Sequence, residues 1–128
     1  MPPRLEDADA LLKGRFRFHG ESVEVHEGSV FDAIPPSPQW RDALQSFAWL
    51  PPLAAAGGET SRLLATNLIA QWIRRHGRYD DAAWAPQIIA RRLLHLFSHG
   101  RMAIVNSDLL WRSRLFFSLR EQSKMLAR

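Results

Sequence analysis

The sequence predicts a mainly α-helical chain with a small β-hairpin at its N-terminal end. Three observations carry this. Residues 14–28, GRFRFHGESVEVHEG, alternate polar and apolar side chains on both sides of Gly20, the period-2 pattern of half-buried strands. From Ser37 onward apolar residues recur at three- and four-residue spacing between Pro and Gly punctuation, the pattern of helices with one buried face. These helical stretches return with a rhythm of roughly 22 to 24 residues, which suits antiparallel helical pairs.

Residues 1–36 are therefore read as an N-terminal hairpin segment, strand-like and turn-rich, and residues 37–128 as a helical segment of roughly four long helices. In the hairpin, Phe16 and Phe18 fall on one face and Arg15 and Arg17 on the other, while Val23 and Val25 alternate with Ser22 and Glu24. A lone hairpin is marginal in water, so this one must lie on the helices. Ser37 is a good N-cap and Pro38 suits the first helical position. The first helix is expected from Pro38 to Leu50, with Pro51-Pro52 as its stop and Trp40, Leu44 and Phe47 on its buried face. Trp49 falls opposite Trp40 on that wheel.

AAAGGET is a loop, with Thr60 or Ser61 capping a second helix that runs to His76 and stops at Gly77. Leu64, Leu68, Ile69, Trp72 and Ile73 cover more than half its circumference, leaving a narrow wedge of Asn67, Gln71 and Arg74. After GRYDDAAWAP, the stretch WAPQIIARRLLHLF forms the third helix. Its buried stripe is read as Ile89, Leu93, Leu96 and Phe97. Arg91, Arg92, His95 and His99 lie opposite, with Ile88 among them. Asp80-Asp81 is expected to cap this helix. The last helix runs from Ser107 to the chain end, with Trp111, Leu115, Leu119 and Leu126 on one side and Phe116 and Phe117 on others.

The chain has 128 residues, is 46% hydrophobic and has no cysteine. That allows one modest core and excludes a disulfide framework or thiolate chemistry. A formal charge of +4 and a pI near 10.6 suit an acidic partner. Lys13 and Lys124 are the only lysines, and arginine is the better residue for forked contacts to carboxylate or phosphate. The N-terminus has no apolar stretch of the signal-peptide kind, and no run approaches the roughly 20 apolar residues of a membrane span. The chain is expected in the cytoplasm if it is complete.

The chemistry-bearing residues are sparse. His95 and His99 share a helix face at i, i+4, but no glutamate stands in the general-base position of a metalloprotease motif. No metal site and no cofactor are expected. P-loop, dinucleotide and serine-nucleophile motifs are absent. Arg74, Arg75, Arg78, Arg91, Arg92, Arg112 and Arg114 scatter without a recognition-helix arrangement, so nucleic acid is not the expected partner. Of the five tryptophans, Trp40, Trp72 and Trp111 lie on apolar stripes and read as core. Trp49 and Trp84 are left between core packing and a surface on which sugars stack. Arg91 and Arg92 are left between attracting anionic groups and holding loop carbonyls or an acidic cap.

GRFRFHG, then PPSPQWRDALQSFAWLPPLAA, LIAQWIRRHG, AWAPQIIARRLLHLFSHG and FFSLREQSKML, in that order and spacing, resemble the N-terminal region of heparinase II/III-like proteins. The resemblance implies part of an incomplete α/α toroid, a β-sandwich that is absent here, and a periplasmic polysaccharide lyase acting by β-elimination on uronate-containing glycans. The asparagine, histidine and tyrosine that the family uses match no position here, and Tyr79, the only tyrosine, falls in a loop without a role. The implied reading is a fragment with no catalytic residues of its own. Trp49, Trp84, Arg91, Arg92 and His95 would bind an acidic polysaccharide, and an unpartnered helix face would let the chain self-associate. The alternative is a non-catalytic helical interaction module that binds an acidic protein or nucleic acid.

Overall fold

A computed structural model describes residues 5–77, 82–104 and 108–127. Within them the chain is mainly helical, with a two-stranded antiparallel hairpin. The expectations for Tyr79, Asp80-Asp81 and Ser107 lie outside the described residues.

The first helix, α1 (Leu5–Leu12), lies in the segment read as strand-like. Its LEDADALL sequence buries Ala8 and Leu11, three residues apart and so on one face. Gly14, at φ +87°, turns the chain from α1 into the hairpin, and a Cβ there would collide with the Val25 carbonyl. The strands β1 (Arg15–Phe18) and β2 (Glu21–Glu24) pair Phe16 with Val23 and Arg17 with Ser22. His19 and Gly20 between them have φ of 53° and 79°, the left-handed pair that a tight two-residue hairpin turn requires. Phe16 and Phe18 are buried. The Trp40 indole donates to the Phe16 carbonyl at 3.1 Å, and its ring lies 5.5 Å from that of Phe18. The hairpin is thus held by the helix beneath it.

That helix, α2 (Pro38–Gln45), is capped by Ser37, whose hydroxyl accepts from the Trp40 N–H at 3.2 Å. It ends at Gln45, well before the expected Leu50. A new helix, α3 (Leu50–Ala56), then starts, and Pro51-Pro52 sit in its first turn instead of ending α2. The physical reason is that a first turn has no use for the N–H that proline lacks. Between the two helices Phe47 takes φ +65°. This break reorients the chain, so Trp40 and Trp49, on opposite sides of a continuous helix, are both fully buried.

α4 (Gly58–His76) begins after Gly57 without the expected Thr60 or Ser61 cap, and ends at Gly77 as read from the sequence. It is followed by α5 (Pro86–His99), the short α6 (Arg101–Ile104) and α7 (Leu109–Leu126). The Asp108 carboxylate caps α7 by accepting from the Trp111 N–H at 2.8 Å. α4 packs on α1, α3, α6 and α7, while α5 packs on α2, α3, α6 and α7. One apolar cluster joins Ala8 and Leu11, the hairpin phenylalanines, the tryptophans and Leu115.

One phase differs from the wheel readings. On α5 the buried set is Ile88, Ile89, Arg92, Leu93 and Leu96, and Phe97 is 70% exposed. On α7 the expected side faces the core, with Leu115 buried and Trp111 and Leu119 half-buried, but it also buries Ser118 and Gln122, and Leu126 is exposed. No helix among the described residues is long and apolar enough to cross a membrane.

Candidate functional site

The paired arginines of α5 separate into two roles. Arg92 is fully buried and Arg91 is exposed. The cause lies at the end of α2. A helix leaves its last carbonyls without intrahelical partners, and here those of Gln45 and Ser46 face α5. Arg92 Nη1 donates to the Gln45 carbonyl at 2.9 Å and to the Ala83 carbonyl at 2.8 Å. His95, one turn on, meets the Ser46 carbonyl through Nδ1 at 2.7 Å. A carbonyl only accepts, so the proton is on Nδ1. Cationic and N–H donors at a helix C-terminus also meet the negative end of its dipole.

The Arg92 guanidinium also reaches α7 and α4. Nε donates to Gln122 Oε1 at 2.7 Å, and Gln122 Nε2 in turn donates to the Ser118 hydroxyl at 3.0 Å. The guanidinium lies 4.1 Å from the Trp72 ring centroid and 5.9 Å from that of Phe47, cation–π contacts in a desolvated setting. Trp72 Nε1 donates to Gln45 Oε1 at 2.8 Å. One charge therefore ties α2, α4, α5, α7 and the loop before α5 together.

Three of the expected ligand-binding residues point inward in this arrangement. Trp49 and Arg92 are fully buried, and Trp84 is 4% exposed, so none offers a stacking or charged surface to a glycan. Trp49 packs its ring 4.7 Å from that of Phe47. Trp84 Nε1 donates to the His76 carbonyl at 2.8 Å, closing the end of α4. His95 is half-buried and held by Ser46, which leaves Arg91 as the exposed member of the expected set. The Gln122 and Ser118 partners carried a signal in the sequence: they fall on the Leu115 and Leu119 side of α7, polar residues inside an apolar stripe.

The surface that stands out lies on the other flank of α5. Leu94 (64% exposed) and Phe97 on α5 project outward, as do Leu109, Leu110, Phe116 and Phe117 on α7. Between the two helices and α6 is a pocket of about 180 Å³. Buried Leu96 and Leu115, with half-buried Leu119, form its base, and exposed Phe97, Phe116 and Arg101 form its edge. Arg112 and Arg120 stand one turn to either side of Phe116 along α7. Among the described residues Arg91, Arg101, Arg114 and Arg120 form no ion pair, whereas Arg75, beside a different cavity of about 400 Å³, is held by Asp32 at 3.0 Å. No group of three or more His, Asp or Glu that could hold a metal is found among the described residues.

With this geometry in hand, comparison with known proteins gives one named relative. Over 117 residues the chain is 29% identical to FtsZ-localized protein C of Caulobacter vibrioides (strain NA1000 / CB15N), a match covering 91% of this chain and 20% of that protein. The chain therefore spans about a fifth of the length of the curated relative it matches. No family model matches, and no solved structure matches.

These findings correct the heparinase II/III-like resemblance. No such family model matches, and the relative is named for FtsZ and not for a lyase. The lyase activity, the uronate-containing acidic polysaccharide partner and the periplasmic placement rested on that resemblance and fall with it.

Proposed function

We propose that this chain is a non-catalytic helical interaction module of an FtsZ-associated protein, acting on the cytoplasmic side of the cell. The observation that carries the reading is the match to FtsZ-localized protein C across 91% of the chain. The surface is compatible with it. An apolar patch edged by arginines is a common form of protein-docking face, because aromatic anchors and arginine supply most of the energy at such interfaces. An arc of an α/α toroid has no separate support once the lyase resemblance is gone.

The test is localisation and co-sedimentation. A fluorescently tagged full chain should concentrate where FtsZ assembles in a dividing bacterium, and the purified chain should pellet with FtsZ polymers. A diffuse signal together with a chain left in the supernatant would remove the FtsZ context.

A further inference from the structure

We propose that the pocket between α5, α6 and α7 receives a bulky apolar side chain from an acidic, amphipathic segment of a partner protein. This rests on the reading of the chain as an interaction module and names the chemistry of what it docks.

The pocket has an aliphatic base of Leu96, Leu115 and Leu119 and an aromatic edge of Phe97 and Phe116. At about 180 Å³ it has the volume of roughly six liquid waters, yet few polar groups to hold them. Water there gains little, and a large apolar side chain displaces it at a profit in hydrophobic free energy. The anchor must come from a segment whose remaining surface tolerates a basic rim.

Charge selects that segment. Residues 82–127 contain seven basic and two acidic side chains. Both acids are already engaged: Asp108 caps α7, and Glu121 pairs with Lys124 at 3.3 Å. Arg101 lies on the pocket edge, and Arg120 follows Phe116 by one turn. A second copy docking through this same face would bring the same arginines against these and meet repulsion. Carboxylates flanking the anchor would instead form forked, charge-assisted contacts with Arg101 and Arg120. An amphipathic helix laid along α5 and α7, with its apolar residues at i and i+4 and acids beside them, satisfies both demands. Nucleic acid would meet the arginines and the two edge rings but leave the aliphatic base of the pocket unfilled.

The experiment uses the full chain, isotopically labelled, and a short synthetic helical peptide bearing Phe and Leu at i, i+4 with glutamates alongside. Two control peptides replace the glutamates by lysine or the Phe by serine. The acidic peptide should shift resonances of Leu96, Ile104, Phe116 and Leu119, and each control peptide should bind at least about tenfold more weakly, the loss of one hot-spot contact. R101E and R120E should each weaken the acidic peptide by about tenfold and favour the lysine peptide. I34S, which alters an exposed residue outside the pocket lining, should change nothing.

Equal binding of acidic and basic peptides overturns the proposal. So does duplex DNA that shifts the same residues and competes more tightly than the acidic peptide. Self-association seen by ultracentrifugation that covers this face and leaves no peptide binding also overturns it. The two readings fail separately. Loss of FtsZ co-sedimentation with intact peptide binding breaks only the FtsZ context, and intact co-sedimentation without peptide binding breaks only the pocket.

Discussion

Arg91 and Arg92 are neighbours in the chain and belong to different regions of the molecule. Arg92 faces the junction of α2, α4 and α7, where it satisfies two carbonyls and a glutamine in a fully buried site. Arg91 faces solvent. The same division runs through the whole chain. The first 77 residues carry eight basic against nine acidic side chains, and residues 82–127 carry seven against two. The later helices also expose most of the large apolar residues that reach solvent, Phe97, Phe116, Phe117, Leu94, Leu109 and Leu110 among them. A positive charge on a helix therefore has two distinct uses here. Toward neighbouring helix ends it completes hydrogen bonding, and away from them it edges an apolar surface.

The sharpest way to break this comparison is to remove each arginine in turn. Arg92→Ala strips the Gln45 and Ala83 carbonyls and Gln122 of a donor and opens a cavity among Trp72 and Phe47. The expected loss is about 3 kcal/mol or more in urea unfolding, because each buried polar group left unpaired costs about 1–3 kcal/mol. Arg91→Ala should stay within about 0.5 kcal/mol, as ordinary surface substitutions do. Equal effects would mean that the buried arginine is not the tie between the helices.

The second variant probes how the end of α4 is held. Trp84→Phe keeps the buried ring but removes the donor to the His76 carbonyl. About 1 kcal/mol of stability should be lost, the net value of one hydrogen bond. A loss several times larger would point to repacking of the indole site and not to the missing N–H.

Much of the fold was legible, and the failures share one cause. The hairpin announced itself through alternation about Gly20, and Ser37-Pro38 and Gly77 marked helix ends by local chemistry. The break at 46–49 was not legible, because nothing local makes Phe47 adopt φ +65°. Tertiary burial of Trp49 and the bonds from Arg92 and His95 do so. The phase of α5 was misread for the same reason. A charged residue was assigned to the polar side, yet arginine is buried wherever enough acceptors converge, and those acceptors come from α2 and the loop before α5. Of the expected site residues, Trp49, Trp84 and Arg92 turned inward through contacts remote in sequence. The exposed Phe97 was missed because an apolar residue beside a buried stripe reads as part of it.

On the outward side, Phe97→Ser with Phe116→Ser should leave urea stability within about 0.5 kcal/mol of the parent chain, since both rings are largely solvated. The same double variant should abolish whatever the chain recruits to this face, read as loss of acidic-peptide binding. A stability loss of several kcal/mol would show that the two rings belong to the core of the folded chain, and the contrast between the two sides of α5 would collapse.

The smallest expected effect concerns a charge that does neither job. Arg15 and Glu24 are paired residues at the open end of the hairpin, and Arg15 donates to the Glu24 carboxylate at 3.2 Å through Nε and 2.9 Å through Nη2. Those bonds, helped by His26 at 3.5 Å, hold the Glu24 carboxyl below its ordinary value of 4.5. A carboxyl lowered in the folded state stabilises it fully above the unfolded pKa, and the gain fades as pH falls through the folded value. Glu24→Gln should therefore lower the melting temperature slightly at neutral pH. The gap to the parent chain should close once pH drops below the ordinary carboxylate range, from about 5 toward 3. Both side chains are more than one-third exposed, so salt should shrink the gap as well. A gap that ignores both pH and salt would mean that the pair acts by packing its aliphatic stems. In that case even this exposed arginine would be structural, and partner-facing charge would be confined to the helices after Gly77.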